Sequence, residues 1–360
     1  MPSTAWAEID RSALRHNLQC VRELSPDSGV VAMIKANAYG HGLIEVARTL
    51  APISDKLGIA RIDEAYQLRS ADISSPLLLM GTLLNDDELG WCAGNGVAVA
   101  VHSLEQAEQI VRQSFSNKLE VWLKLDTGMN RLGLTPDALH SAHALLAQSQ
   151  HIGAIRLMSH FSSADDPASP STLSQIAYFE KAADNLPPME FSLANSAGLI
   201  AWPESRRQWV RPGIMLYGDN PTDLQTVELK PVMHLKSRVI AIKHVLEGDS
   251  VGYNARWTAP RASRIAAIGI GYGDGYPRQL PNHTPVLCKG QRFPLVGRVS
   301  MDICSIDISS AKQPISVGDE VTLWGEGLPA TDIAAMAGTI SYHLYTGVTQ
   351  RVQRVYTEKT

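Results

Sequence analysis

The sequence predicts a (β/α)₈ barrel followed by a mostly antiparallel β domain. Eight apolar, strand-like runs alternate with helical patterns over about 200 residues, which favours a barrel over an open sheet. Reactive side chains follow several of these runs at the same end, where β/α barrels carry their chemistry. After Tyr217 and Gly218 the pattern changes to short alternating runs with turn residues between them. A parallel sheet with another strand count is the alternative.

The eight runs are the predicted barrel strands. They lie at residues 30–34, 57–60, 77–80, 97–101, 119–125, 152–158, 189–194 and 209–211. Helical patterns separate most of them, for example at 103–115 and 136–148. At the N-terminus, residues 4–9 predict a short strand. Ser12 is the predicted N-cap of a helix over 13–24, whose leucines and valine share one face.

The second domain is predicted from its short alternating runs. These lie at residues 239–245, 264–270, 285–289, 293–296 and 320–324, with one short helix near 331–337. Residues 219–223 have the composition of a linker. Pairing of the N-terminal strand with this domain would bring the two chain ends together. The predicted boundaries are therefore 1–10 for that strand, 11–220 for the barrel and 221–360 for the β domain.

Composition excludes several classes of function. The 360 residues carry a net charge of −4, which gives no basic surface for nucleic acid or anionic lipid. No apolar run approaches the roughly 20 residues of a membrane span. The first residues lack the basic start and apolar core of a signal peptide, so we expect a cytoplasmic protein. The four cysteines show neither CxxC nor metal spacing, which predicts reduced thiols in the core.

The most informative stretch is residues 30–42. An apolar run ends at Lys35, and small residues, Tyr39 and a Gly-His-Gly turn follow. A lysine where a buried strand emerges is partly desolvated, which lowers its pKa and frees the amine as a nucleophile or base. Schiff-base chemistry with a carbonyl cofactor requires such an amine. For a lysine considered alone, the alternative is a snorkelling side chain that ends a strand.

This stretch closely resembles the pyridoxal-phosphate lysine motif of bacterial alanine racemases, and the resemblance spans nearly the whole chain. It implies that Lys35 carries pyridoxal 5'-phosphate as an aldimine. It also implies interconversion of L-alanine and D-alanine, an isomerase activity that supplies D-alanine for peptidoglycan. No metal is implied.

The resemblance assigns the residues that bind the cofactor. The segments 195–198 and 211–214 follow the last two predicted strands, where barrels commonly bind phosphate. The implied phosphate and cofactor contacts are Tyr39, Asn195, Ser196, Gly213, Ile214 and Tyr342. Arg211 matches the arginine that faces the pyridine nitrogen, and His160 lies near the ring and links Arg211 to a base. A guanidinium stays protonated, so the ring is a weaker electron sink than it would be beside a carboxylate.

Racemisation needs acid–base groups on both faces of a planar intermediate. The resemblance implies Lys35 on one face and Tyr253 on the other, with Tyr253 supplied by the second subunit of a homodimer. A free tyrosine has a pKa of about 10, so it needs cationic neighbours to act as a base. The alternative for Tyr253 alone is a turn residue on an exposed strand.

The segment 124–133 resembles the second family motif. It implies that Arg131 holds the substrate carboxylate, a use that suits a planar guanidinium. Unmodified Lys124 beside Arg131 would place two positive charges together, so we expect Lys124 to be carbamylated. Met301, in the matching segment 297–302, offers its backbone N–H to the same carboxylate.

The remaining motif residues surround the predicted entrance. Tyr272, Arg278 and Asp302 match positions lining the entry channel of the partner's site. The segment 271–278 is rich in glycine but lacks GxGxxG spacing and a βαβ context, which excludes a dinucleotide loop. The resemblance also implies that Tyr342 narrows the pocket opposite Tyr253, so we expect alanine to be favoured over larger substrates, with serine the nearest competitor.

Two other functions fit part of this pattern. A broad-specificity racemase or a barrel decarboxylase shares the lysine, but the export signal of the former and the paired-cysteine motif of the latter are absent here. A cofactor-carrier protein shares the lysine barrel but has no β domain. The sequence leaves open whether the enzyme is biosynthetic or catabolic.

Overall fold

The computed structural model describes residues 4–81, 83–224 and 227–358. Within these, residues 14–38 and 42–230 form one compact unit, and residues 4–13, 39–41 and 231–358 form another. The first unit is a barrel and the second is built on an antiparallel sheet.

The barrel closes through eight parallel strands, as predicted. In order around the barrel they are β2 (Gly29–Met33), β3 (Lys56–Ile59), β4 (Leu77–Leu79), β5 (Val97–Val101), β6 (Leu119–Lys124), β7 (Ile152–Met158), β8 (Phe191–Ser192) and β9 (Trp209–Val210). Pairing of Gly29 with Trp209 closes the ring. The apolar runs predict these strands well because residues such as Val30, Val31 and Leu77 are completely buried.

Helices connect the barrel strands. They span Arg11–Leu24, Leu43–Leu50, Ile62–Ser70, Asp86–Gly94, Leu104–Val111, Pro136–Ala147, Ser171–Ala183 and Ser196–Ala201. The first of them corrects the predicted cap. Asp10, not Ser12, caps it, because the Asp10 carboxylate accepts hydrogen bonds from the N–H groups of Ser12 (2.9 Å) and Ala13 (3.2 Å). Ser12 therefore lies inside the first turn.

Charged and aromatic side chains meet inside the barrel. Glu120 on β6 accepts from Lys56 Nζ (2.9 Å) and Trp122 Nε1 (2.7 Å), and pairs with Arg156 on β7. Since β3 and β6 are not neighbours, the Lys56–Glu120 pair must cross the barrel interior. We call this set, with Glu190 and Trp209, the Glu120 cluster.

Trp209 joins the Glu120 cluster to the seam of the barrel. Its indole donates to Glu190 (2.9 Å), and the Arg156 guanidinium lies 5.1 Å from its ring centroid. The ring also covers Gly29 on the adjoining strand. A Cβ atom at Gly29 would lie 2.7 Å from the ring, so a side chain there would displace Trp209.

The second unit contains the N-terminal strand β1 (Ala5–Asp10) and nine further strands. These are β10 (Met233–Val245), β11 (Ser250–Val251), β12 (Trp257–Thr258), β13 (Ser263–Ile268), β14 (Pro285–Cys288), β15 (Gln291–Pro294), β16 (Cys304–Asp307), β17 (Glu320–Trp324) and β18 (Gln353–Thr357). The main sheet has the order β15-β14-β17-β10-β1-β18, with β13 and β16 branching from β10. Strand β1 is antiparallel to β10 and parallel to β18.

Two helices complete this unit, at Ala330–Met336 and Ser341–Gly347. The sequence predicts the first helix but not the second, and it does not predict the short strands β11, β12, β16 and β18. The four cysteines are buried and free, as expected. Among the described residues, no helix is both long and apolar enough to cross a bilayer.

The contacts of the Glu120 cluster should contribute to the stability of the fold. We expect Glu120→Gln to destabilise the fold by about 2–3 kcal/mol, because Lys56 and Arg156 would keep their charges in a partly buried place with one carboxylate fewer. Urea unfolding monitored by circular dichroism measures this. Glu108→Gln, which removes an exposed pair with Arg112, is the matched control and should cost less than about 0.5 kcal/mol. Equal midpoints for the two variants would show that the cluster contributes nothing.

Candidate active site

The predicted barrel residues gather at one mouth of the barrel. Lys35 follows β2, Lys124 ends β6 and His160 follows β7. Asn195 and Arg211 follow β8 and β9 in the same way. Because the strands of a closed parallel barrel share one direction, these side chains lie at its carboxyl end.

Lys35 begins a left-handed helical turn, Lys35–Tyr39. Ala36, Asn37 and Ala38 have φ values of 54°, 55° and 52° and ψ values of 54°, 45° and 53°. For residues other than glycine this conformation costs about 1–2 kcal/mol each, so neighbouring groups must hold it. The Asn37 side chain accepts from Leu43 N–H (2.8 Å), and its carbonyl accepts from Gly42 N–H (3.0 Å).

Glu64 also holds this turn. Its Oε1 accepts from Ala36 N–H at 2.7 Å, and its Oε2 accepts from the N–H groups of Ala60 (2.8 Å) and Arg61 (3.1 Å). The residue is 9% exposed. A buried glutamate on a helix gives no sign in the sequence that it reaches a strand end, so sequence reasoning missed it.

Positive charge dominates the barrel mouth. Burial lowers the pKa of Lys35, as do Arg131 and Arg211, whereas Glu64 opposes them. Burial, Arg211, Arg131 and Lys35 together lower the pKa of Lys124 to about 8, against Asp126. The influence of Arg131 and Arg211 on both lysines indicates that these four cations lie close together.

The same charges act on His160. Burial lowers its pKa to about 3, with Arg211, Lys124, Lys35 and Arg131 contributing in that order. The imidazole is therefore neutral at neutral pH. No hydrogen bond among the described residues joins its ring to Arg211, so the predicted link between them is electrostatic in this structure.

Three of the cations have no partner within the described part of the chain. The side chains of Lys35, Lys124 and Arg131 make neither a hydrogen bond nor an ion pair there. Arg131 is exposed, whereas Lys124 is only 8% exposed. Buried or clustered cations without partners are unfavourable, so this mouth is built to receive an anionic ligand.

Arg211, in contrast, is fixed by the backbone. Its guanidinium donates to the carbonyl groups of Ser192 (2.8 Å) and Ser159, and to the Ser192 hydroxyl. Burial lowers its pKa to about 10, which leaves it protonated at neutral pH. Arg211 is therefore a rigid positive charge that cannot act as a proton carrier.

The predicted phosphate segments meet through Ser196. Its hydroxyl accepts from Gly213 N–H (2.8 Å) and Met215 N–H (3.3 Å), which joins the segments after β8 and β9. Asn195 caps the helix Ser196–Ala201 by accepting from Gly198 N–H (2.9 Å). Ser196, Gly213 and Ile214 are thus neighbours, as a shared phosphate site requires.

Tyr39 and Tyr342 lie together in the second unit. Their ring centroids are 5.9 Å apart, and burial raises the pKa of Tyr39 to about 12. Gly40 follows with φ 81°, and a Cβ atom there would lie 2.0 Å from the Tyr345 carbonyl oxygen. Only glycine allows this close approach, which fixes the Tyr39 segment beside the helix carrying Tyr342.

Gln175 joins the loops that carry Arg131 and His160. Its amide donates to Thr127 Oγ1 (3.0 Å) and to the His160 carbonyl (3.3 Å), and its oxygen accepts from Ser162 N–H (3.0 Å). The residue is 3% exposed. Sequence reasoning missed Gln175, because a glutamine on an amphipathic helix is usually solvent-facing.

Tyr253 and Met301 are exposed in the second unit, with relative exposures of 66% and 53%. Neither the Tyr253 phenol nor the Met301 amide N–H has a partner among the described residues. Tyr272 N–H donates to Ser300 O (2.9 Å) and Gly273 N–H to Met301 O (2.8 Å), so the structure brings the segments of Tyr272 and Met301 together.

The last two predicted entry residues are also at the surface. Asp302 pairs with Arg351 (2.6 Å), which also approaches Asp274. Arg278 is exposed. The described residues contain no cluster of histidine, cysteine and carboxylate side chains that could hold a metal ion.

The residues of the barrel mouth fit pyridoxal phosphate. An amine of lowered pKa suits its aldehyde. Three cations without partners and the joined segments at Ser196 suit its phosphate and the carboxylate of an amino acid. This fit rests on the donor set of the chain itself.

Comparisons with known proteins agree with this chemistry. Residues 9–221 match the family model "Alanine racemase, N-terminal domain", and residues 232–356 match "Alanine racemase, C-terminal domain". The alanine racemase of Yersinia pestis bv. Antiqua (strain Angola) is 45% identical, covering 98% of both chains.

Solved protein structures are also similar to this chain. The biosynthetic alanine racemase from Pseudomonas aeruginosa is 40% identical with a TM-score of 0.94, covering 99% of this chain and 100% of that chain. The alanine racemase from Bartonella henselae with covalently bound pyridoxal phosphate is 29% identical with a TM-score of 0.91, covering 99% and 100%. Both domains of the chain match, and the chain belongs to the alanine racemase family.

Proposed function

We propose that this protein is a pyridoxal-phosphate-dependent alanine racemase, an isomerase that interconverts L-alanine and D-alanine. The observation that carries the proposal is Lys35, an amine of lowered pKa without a partner among the described residues, set among cations at the carboxyl end of the barrel. Membership of the alanine racemase family supports the same activity. The biological role that follows is supply of D-alanine for peptidoglycan in the cytoplasm.

The cofactor residues are proposed from the barrel mouth and the Tyr39 segment. Lys35 holds the cofactor covalently, and Arg211 and His160 face its ring. The phosphate is bound by Tyr39, Ser196, Gly213, Ile214 and Tyr342, and Asn195 is a further cofactor contact. When bound, pyridoxal phosphate withdraws electrons from the α-carbon of the amino acid, so that its hydrogen can leave as a proton.

Lys35 and Tyr253 are the proposed acid–base pair. Lys35 Nζ removes or returns the α-proton on one face, and the lowered pKa increases the neutral fraction of the amine available for this task. The Tyr253 phenol serves the opposite face. We propose that it comes from the second subunit of a homodimer, with Tyr272, Arg278 and Asp302 lining the entrance.

The substrate carboxylate is the proposed ligand of Arg131 and of the Met301 amide N–H. Both donors are without partners in the described part of the chain. Carbamylation of Lys124 would turn a buried cation into an anion beside Arg131, and a lowered pKa favours the neutral amine that reacts with carbon dioxide. The barrel, residues 11–220, supplies most of the proposed cofactor contacts, and the β domain, residues 1–10 and 221–360, supplies Tyr342 and the second base.

We predict that Lys35→Ala lowers alanine racemisation by more than about a thousandfold, because it removes both the cofactor attachment and one base. Exchange of the alanine α-hydrogen in deuterium oxide, followed by proton NMR, measures it. Lys181→Ala, at an exposed position of the helix Ser171–Ala183, should retain the native rate. Native exchange by Lys35→Ala would refute the proposed function.

A shared site predicts complementation between inactive variants. Lys35→Ala and Tyr253→Phe subunits should each be weakly active alone. After denaturation and co-refolding in equal amounts, half of the dimers are mixed and each has one intact site, which predicts recovery of about a quarter of native activity. Recovery near zero, with mixed dimers verified by differential tags, would show that Tyr253 acts within its own chain.

Carbamylation of Lys124 should depend on pH. A pKa lowered to about 8 means that the neutral amine increases as the pH rises through that value, so carbamate should increase between pH of about 6 and 9. Carbon-13 NMR with labelled bicarbonate detects the added carbon. The resonance should vanish in Lys124→Met and persist in Lys118→Met, an exposed site. An active enzyme without the resonance would exclude the modification.

A further inference from the structure

We propose that Glu64 is a positioning residue for Lys35: its carboxylate holds the left-handed turn that presents the amine. The inference rests on the proposed function and deepens it. The family motifs found in this sequence do not include Glu64.

The geometry joins Glu64 directly to the lysine segment. Its Oε1 accepts the N–H of Ala36, the residue after Lys35, at 2.7 Å. Its Oε2 accepts the N–H groups of Ala60 (2.8 Å) and Arg61 (3.1 Å), which follow β3. One buried carboxylate therefore ties the carboxyl ends of the adjacent strands β2 and β3 together. Hydrogen bonds from three N–H groups to a charged acceptor are strong and directional.

The turn needs such a constraint. Residues Ala36 to Tyr39 all have positive φ and none is glycine, so the unconstrained segment would relax to an ordinary conformation. The N–H of Ala36, the first residue of this positive-φ stretch, donates to Glu64. Loss of that bond would let the Lys35 backbone rotate and would move the amine away from its position.

Charge is the second effect. The groups that act on Lys35 are Arg131 and Arg211, which lower its pKa, and Glu64, which raises it. Lys35 in turn acts on Lys124 and His160, so these also lie nearby. Among the described residues that act on Lys35, Glu64 is the carboxylate, and its removal would leave Arg131 and Arg211 acting on the amine without that opposing charge.

Helix capping is the alternative role. Glu64 is the third residue of the helix Ile62–Ser70, where a glutamate commonly reaches back to the cap N–H. Glu88 does the same in the helix Asp86–Gly94, accepting from Asn85 N–H at 2.8 Å. Glu88 makes no contact with the lysine segment, so Glu88→Gln is a matched control for the capping effect.

The test measures how the full-length chain, freed of its cofactor, captures pyridoxal phosphate. The rate of covalent attachment is followed by absorbance over a range of pH. The rate reaches a plateau at high pH, where the amine is neutral, and the height of this plateau reports how well the amine is positioned. The pH at the midpoint of the profile reports the proton affinity of the amine. For Glu64→Gln we expect a plateau about tenfold lower, the effect of one charge-assisted hydrogen bond, and a midpoint at lower pH. Glu88→Gln should match the native protein in both.

The outcome that overturns the inference is a Glu64→Gln profile that coincides with that of Glu88→Gln. Should Glu64→Gln fail to fold by circular dichroism, Glu64→Asp replaces it, since it keeps the charge and shortens its reach by one methylene. A lower plateau with an unchanged midpoint then supports positioning, and a native plateau refutes it. Capture of the cofactor without racemisation of alanine would reject the proposed function and leave the role of Glu64 intact.

Discussion

Unbalanced positive charge at the carboxyl end of the barrel is the constraint on which the site depends. Arg131 and Arg211 lower the pKa values of both Lys35 and Lys124, and the side chains of Lys35, Lys124 and Arg131 lack a partner in the described residues. A fold maintains such repulsion only if other contacts fix the backbone around it. The strand ends, the backbone carbonyls around Arg211 and the carboxylate of Glu64 provide those contacts. The positive charge then lowers the pKa of the Lys35 amine and attracts anions.

The barrel is predictable from the sequence because each buried strand is a run of consecutive apolar residues. Parallel strands covered on both faces are continuous apolar runs, and Val30, Val31 and Ala32 are fully buried. Capping is less predictable. Asp10 and Ser12 both have side chains that cap helices, and only the position where β1 ends decides between them. The helix Ser341–Gly347 contains Tyr342 and Tyr345 and reads equally well as a strand.

The residues of the candidate site also differ in how well the sequence predicts them. Lysines, arginines and tyrosines in recognisable motifs are found from the sequence. Glu64 and Gln175 are not, because each is an ordinary polar residue on a helix whose buried partners come from distant segments. The left-handed conformation of Ala36 to Tyr39 is equally hidden, since no glycine marks it. Residues that support a site are recognised through its geometry, whereas residues that do the chemistry are recognised by type.

The contact between Gly29 and Trp209 links fold integrity to ligand alignment. Trp209 packs over Gly29 at the seam of the barrel, and Arg211 lies two residues farther along the same segment. A methyl group added to Gly29 would push the indole outward and shift the guanidinium with it. Loss-of-function substitutions, inherited or selected, can therefore arise outside the candidate site. In such a strain Gly29 would be the lesion, and inhibitors that bind Arg211 would lose affinity.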